Sequence, residues 1–186
     1  MKQYYHTNNK KWIIIADLHL SSFHSLFFET ELVNELKNAP KEYGVIILGD
    51  FIDSGYKIQN LWLHHSQLMQ QLSKRMVIWV KGNNDPISPY DGVILHTKNN
   101  TWTLEHGHKT PDWLNKIINP FKFGRKGFDI NVPSDKRKHK LKKYIESHPR
   151  HKYITAHYHI EYFGKDGRIS ILPWKVYYLD KLIEDD

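Results

Sequence analysis

Three short apolar runs in this chain are each followed almost at once by side chains able to hold a metal ion. Trp12 to Ala16 runs into Asp17-Leu18-His19, Val45 to Leu48 into Gly49-Asp50-Phe51-Ile52-Asp53, and Met76 to Val80 into Gly82-Asn83-Asn84-Asp85. Runs of this kind read as strands covered on both faces, and ligands of an open α/β sheet sit in the loops at the carboxyl ends of its strands. Two further clusters, His106-Gly107-His108 and His157-Tyr158-His159, lie downstream. Carboxylate, amide and imidazole groups gathered from several loops are what a two-metal hydrolase requires. That chemistry is the leading expectation.

The segments between the runs support an α/β reading. Leu32, Val33 and Leu36 repeat at helical spacing between Glu29 and Lys37 and stop at Pro40; Ile58, Leu61, Trp62, Leu68, Met69 and Leu72 predict one long amphipathic helix before the third strand. The first half is therefore β-α-β-α-β with a mostly parallel sheet. Beyond Asn84, Val93 to His96 and Thr101 to Glu105 predict a hairpin around Lys98-Asn99-Asn100. Trp113 to Ile118 predicts a short helix, and Ser134 to Ser147 a longer one opening on a Ser134 N-cap. Four more strands are expected at Tyr153 to Ala156, Glu161 to Phe163, Arg168 to Leu172 and Lys175 to Leu179, with Gly164-Lys165-Asp166-Gly167 as a hairpin turn. Two packed sheets with helices outside accommodate this order.

Composition narrows the class. A chain of 186 residues with 40% apolar and 13% aromatic residues is expected to fold as one globular domain. With no cysteine, any metal must be held by oxygen and nitrogen. Met1 to Lys11 has no apolar segment of signal-peptide length, and no run approaches a membrane span, so a soluble, cytoplasmic protein without a transmembrane segment is expected. The net charge of +7 is concentrated: nine of the 27 basic and two of the 20 acidic residues lie between Phe121 and Lys143, leaving 18 against 18 elsewhere. This basic segment belongs to a cap-like insertion at about residues 109–150, and such a field would attract a polyanion. The alternative is a solvated helix face, since Leu141, Tyr144, Ile145 and His148 fall at helical spacing with the lysines opposite.

The five clusters, in order, resemble the calcineurin-like metallophosphoesterase superfamily, whose pattern is D-x-H, G-D-x-x-D, G-N-H-D/E, a His beside Gly, and G-H-x-H. The resemblance spans nearly the whole chain and implies a four-layer α/β/β/α sandwich of two mixed sheets with a dinuclear site at its rim. It assigns Asp17, His19 and His159 to one metal, Asn83, His106 and His157 to the other, and Asp50 to a bridging position. Asp53 and Asp85 are expected to support the ligands, and His108 to contact substrate or stand exposed in its loop. Carboxylate and imidazole ligands suit two divalent transition metals, manganese first and iron, zinc or nickel as alternatives, rather than magnesium or calcium. The implied chemistry is in-line attack by a hydroxide lying between the metals.

Two departures from the pattern shape the functional expectation. Asn84 stands where the family has the His that assists the leaving group, and an amide can hydrogen-bond a phosphoryl oxygen but cannot protonate an alkoxide. This favours a phosphodiesterase or pyrophosphate-type hydrolase over a general monoesterase. Ala156 replaces a Gly, which matters only if that backbone needs a positive φ. Ser54-Gly55 follows Asp53 where the protein-phosphatase branch has Arg-Gly, which argues against a Ser/Thr protein phosphatase. A nuclease or nucleic-acid end-processing enzyme is the alternative, favoured by the basic segment with Phe121, Phe123 and Phe128. A second alternative is a non-catalytic interaction protein that kept the fold.

Overall fold

Trp12–Ile15 forms a strand in which all four side chains are buried. Ile13 and Ile15 turn to one face of the sheet, Trp12 and Ile14 to the other, so layers must cover both sides. The computed structural model describes residues 2–21, 26–53, 55–85, 88–107, 134–147, 152–164 and 167–183. In chain order, β1 (Tyr4–Thr7), β2 (Trp12–Ile15), α1 (Leu26–Asn38) and β3 (Gly44–Leu48) are followed by a 3-10 turn (Ile58–Asn60), α2 (Leu61–His64), α3 (Ser66–Leu72) and β4 (Val77–Val80). The second half contributes β5 (Gly92–His96), β6 (Thr101–Glu105), α4 (Ser134–Ser147), β7 (Lys152–Thr155), β8 (Tyr162–Phe163), β9 (Arg168–Ser170), β10 (Tyr177–Tyr178) and α5 (Leu179–Leu182).

Two mixed sheets result. One has the order β10-β2-β3-β4 with β2, β3 and β4 parallel, and the other the order β1-β5-β6-β7-β9-β8. Ile13, Ile15, Val45 and Ile47 pack outward on Leu32, Val33 and Leu36 of α1 and on Leu61, Leu68 and Leu72 of α2 and α3. On the opposite face, Trp12, Ile14, Ile46, Leu48 and Val80 meet Val93, Leu95, Trp102, Leu104 and Ile154 of the six-stranded sheet. That sheet's other face carries α4, through Leu141 and Tyr144 packed on Tyr153 and Tyr158. The architecture is the expected α/β/β/α sandwich. A fully buried Ile or Leu contributes about 1.5–3 kcal/mol, so the β2–β3 pair, apolar on both faces, anchors three of the four layers.

The structure departs from the sequence reading at several places. The long helix expected between Ile58 and Leu72 is broken at His65, whose φ and ψ of −126° and 37° interrupt α2 and α3. The polar N-terminus contains a strand, β1, which gains its partners by pairing in parallel with β5. The last expected strand shortens to Tyr177–Tyr178, and Leu179 opens a helix instead. The helix expected from Ser134 to Ser147 is present, whereas the expected helix at residues 113–118, the Ser134 side chain, His108, His148 and Phe121, Phe123 and Phe128 lie outside what the structure describes. Among the described residues, no helix is long and apolar enough to cross a membrane.

One unpredicted device closes the helix layer. The Arg75 guanidinium donates to the carbonyls of Leu36 and Ala39 at 2.8 and 2.9 Å, and to those of Pro40 and Tyr43 at 2.7 and 2.8 Å. Carbonyls left over at a helix C-terminus need such donors. The end of α1 is thereby tied to the segment that leads into β4.

Candidate metal centre

Five loops meet at the carboxyl ends of β2, β3, β4, β6 and β7. The first two run alongside each other beyond the sheet: the N–H groups of Asp17, His19 and Leu20 donate to the carbonyls of Gly49, Asp50 and Phe51 at 3.1, 2.9 and 2.9 Å, and Asp53 N–H returns to Leu20 O at 3.1 Å. This short ladder holds Asp17, His19, Asp50 and Asp53 in fixed register. Two glycines allow the close approach of the remaining loops. A Cβ on Gly82 would stand 2.1 Å from the Asp50 N and Oδ1 atoms, and one on Gly49, which has a φ of +80°, would stand 2.4 Å from the His106 ring.

The backbone here is strained. Among the described residues, six non-glycine residues have positive φ, and five of them are Asp17, His19, Asp50, His157 and His159. The left-handed conformation costs roughly 1–2 kcal/mol per residue, and strain of this kind concentrates where side chains must be aimed. Ala156 is not among the six, so the replacement of Gly at that position carries no conformational penalty.

Asp17, His19 and His159 bring one ligand atom each within 4.8 Å of one another, and so do Asp50, His106 and His157. Asn83 joins the second group, its Oδ1 lying 3.3 Å from His106 Nε2. Asp50 links the two groups: its Oδ2 is 3.7 Å from His19 Nε2 and 3.4 Å from His106 Nε2. Ring orientation is fixed from behind. His106 Nδ1–H donates to Leu48 O at 2.9 Å and His19 Nδ1 meets Asp53 Oδ1 at 3.0 Å, which leaves each Nε2 facing the carboxylates.

Asp85 does not reach the ligand groups. Its carboxylate accepts from the backbone N–H groups of Phe51, Ile52 and Gly82 at 2.9, 3.3 and 2.9 Å, pinning the third loop to the second. Burial, and then the Asp50 carboxylate, push the Asp85 carboxyl up to about 6 against the pull of those donors. Asn84 is turned to Asp50, with its N–H on Oδ1 and its Nδ2 on Oδ2, both at 2.8 Å.

The electrostatics favour cations. Burial works against ionisation of Asp17 and Asp50, yet His106 and the other imidazoles hold both carboxyls below their usual range. Burial likewise pulls His106 down, but Asp50 and Asp17 outweigh it and push the imidazole up to about 10. Asp17 Oδ1 is buried and has no hydrogen-bond partner among the described residues, although the Nε2 atoms of His159, His106 and His19 lie 3.3, 3.9 and 4.0 Å away. Buried polar atoms are ordinarily satisfied. An oxygen surrounded by imidazole nitrogens at these distances fits a metal ion, and the mixed oxygen and nitrogen set suits a divalent transition metal.

Some supports were not visible in the motifs. Tyr158 Oη–H donates to Gly107 O at 2.9 Å, and Thr155 Oγ1–H to His106 O at 3.0 Å, so the end of β7 and the loop that follows it fix the His106 loop. No sequence signal marks either bond.

Comparison with known proteins agrees with this geometry. No curated protein matches the chain. Among solved structures, the protein of unknown function AQ665 from Aquifex aeolicus is 17% identical, with a TM-score of 0.51 and coverage of 92% of this chain and 98% of that one. A cold-active protein-tyrosine phosphatase of a psychrophilic Shewanella species is 14% identical, with a TM-score of 0.44 and coverage of 92% and 73%. The first of these likenesses concerns the fold alone. The model of the calcineurin-like phosphoesterases matches residues 10–178, which include every loop of the centre. The chain belongs to the calcineurin-like phosphoesterase family of metal-dependent phosphoester hydrolases.

Proposed function

We propose that this protein is a dinuclear phosphodiesterase or pyrophosphate-type hydrolase. Asp17, His19 and His159 would hold one divalent cation, Asn83, His106 and His157 the other, and Asp50 would lie between them. The observation that carries this reading is the meeting of two separate Asp/His groups, each within 4.8 Å, around the buried and unsatisfied Asp17 Oδ1. Two cations bound there, manganese by first choice, would supply the Lewis acidity that lowers the pKa of a water and neutralises charge on the phosphoryl group.

The chain's own residues determine what else the site can do. Leu48 O and Asp53 fix the tautomers of His106 and His19, and Asp85 holds the Asn83 loop in place. Asn84 offers an amide and no titratable proton at the position facing Asp50, so departure of the leaving group would depend on its own basicity. His108, which lies outside the described residues, is retained as a proposed substrate contact.

The test is an assay of the metal-reconstituted protein over a phosphomonoester, a phosphodiester, a nucleotide pyrophosphate and single-stranded DNA. Diester or pyrophosphate turnover is expected to lead, to vanish on chelation, and to return with two equivalents of metal. Loading each site at a hundred times its Kd should add about 2.7 kcal/mol of stability, read as a rise in Tm. Fewer than two bound ions would overturn the dinuclear reading.

Asn84→His provides a separate check. An imidazole there should raise alkyl monoester turnover relative to diester turnover by about 100-fold, the lower end of the range of general acid catalysis. If the wild-type protein already prefers alkyl monoesters, the reading of Asn84 is wrong.

The basic helix α4 supports a proposal about substrate capture. Its apolar face is occupied by the contacts with Tyr153 and Tyr158, while Lys136, Lys138, Lys140, Lys142 and Lys143 are exposed. Tyr144 packs against Tyr158 with ring centroids 5.6 Å apart, and Tyr158 sits between His157 and His159, so the charged helix is fastened to a ligand loop. Reversing Lys136, Lys138, Lys140 and Lys143 to Glu should raise KM for an anionic polymer, including nucleic acid, several-fold at low salt and flatten its salt dependence. kcat on a small chromogenic diester should stay within about twofold. Loss of small-substrate turnover with unchanged salt dependence would assign the helix to the pocket instead.

A further inference from the structure

His65 is buried at the break between α2 and α3, far in sequence from every proposed ligand. Its Nδ1 lies 2.7 Å from Glu29 Oε2 of α1, and its Nε2 lies 3.2 Å from the carbonyl oxygen of Ser21. Glu29 is buried as well. A peptide carbonyl can only accept, so Nε2–H donates to Ser21 O while Nδ1 pairs with the Glu29 carboxyl. Tyr56 and His64 flank the ring at 6.0 and 6.5 Å between centroids and are hydrogen-bonded to each other at 2.8 Å.

The position of Ser21 gives this pair its meaning. The ladder that carries Asp17 and His19 beside Asp50 ends at Leu20, which bridges to Ile52. Ser21 is the next residue, and its carbonyl adds a hydrogen bond from the ladder to the helix layer beside the apolar packing of Leu18 and Leu20. The helical interruption at His65 is consistent with this demand, because it is where the chain leaves helical geometry to bury an imidazole.

We propose that Glu29 and His65 are positioning residues that hold the Asp17–His19 loop through the Ser21 carbonyl, and so set the affinity of one metal site selectively. The proposal rests on the two-metal reading. Asp17 and His19 contribute to a single ligand group with His159; in the other group Asp50 and His106 have bonds of their own, to Asn84 N–H and Leu48 O, while His157 N–H donates to Asp17 Oδ2 at 2.9 Å. Loss of the tether should therefore weaken the first site more than the second.

The experiment is titration of metal-free protein with Mn2+ by calorimetry, for wild type, His65→Ala, His65→Gln and Glu29→Gln, with Tm measured alongside. The expected result is two wild-type sites, one of which weakens about 10- to 100-fold in His65→Ala, the usual range for loss of a group supporting a ligand, while the other changes less than threefold. His65→Gln retains a donor for Ser21 O and should recover part of the loss. It also serves if His65→Ala does not fold. Equal weakening of both sites, or unchanged affinities beside a lowered Tm, would overturn the proposal and leave His65 a structural residue. Fewer than two sites in the wild type would instead overturn the two-metal reading.

Discussion

Replacing Asp50 by Asn is expected to cost on the order of a thousandfold or more in kcat/KM. The Asp50 carboxylate lies closer than that of Asp17 to imidazoles of both ligand groups at once, at 3.7 Å from His19 and 3.4 Å from His106, against 4.0 and 3.9 Å for Asp17. An amide removes the negative charge from between the two cations proposed to bind there. It also mispairs the carboxyl end, because both Asp50 oxygens already accept from Asn84, and the new NH2 would face a donor. Metal affinity at both sites should fall together. Asp53→Asn makes an instructive contrast: the new side chain keeps an oxygen for His19 Nδ1–H, so a loss of about 10- to 100-fold at most is expected. Diester kinetics and metal titrations on the two variants decide the matter, and equal defects would refute the division of roles.

Gly82→Ala should damage the protein almost as severely, by a different route. The new Cβ would lie 2.1 Å from Asp50 N and Oδ1, and a backbone atom cannot rotate out of the way. The loop carrying Asn83 must withdraw from the loop carrying Asp50, which breaks the Asp85 bonds to Phe51 N and Ile52 N. A stability loss of about 3 kcal/mol is expected, at the upper end of overpacking, with loss of the Asn83-side metal. Gly55 isolates the cause. It has a φ of +90° and nothing within 4 Å of a built Cβ, so Gly55→Ala should cost only the roughly 1–2 kcal/mol of the left-handed conformation. Denaturant unfolding and metal stoichiometry on both variants provide the comparison; a Gly82→Ala protein as stable as Gly55→Ala would contradict the close approach.

The sequence revealed the layers and the clusters because both leave local marks. Val45 to Leu48 is apolar on consecutive residues, so a strand covered on both faces was legible, and Leu141, Tyr144 and Ile145 showed the buried face of α4 through their spacing. What escaped depended on partners distant in the chain. β1 is polar and four residues long, and it is a strand because β5 offers its edge. The break at His65 could not be read from an apolar pattern that continues on both sides of it, and the partner of the buried imidazole, Glu29, lies 36 residues away. At the centre, the motif named the residues, but not that Asn84 turns to Asp50 or that Asp85 is occupied with backbone donors.

The ligand groups also straddle the seam of the sandwich. Asp17, His19 and Asp50 follow strands of the four-stranded sheet, while His106, His157 and His159 follow strands of the six-stranded one, and each of the two groups draws on both. Away from this rim the sheets are joined by apolar side chains such as Ile14, Leu48, Leu104 and Ile154, contacts that can slide. Ions bound at the two groups would act as cross-braces between layers, each spanning the seam with directional bonds. Slow amide hydrogen exchange at the carboxyl ends of β2, β3, β6 and β7 would then report metal occupancy, linking the catalytic state of the rim to the rigidity of the whole sandwich.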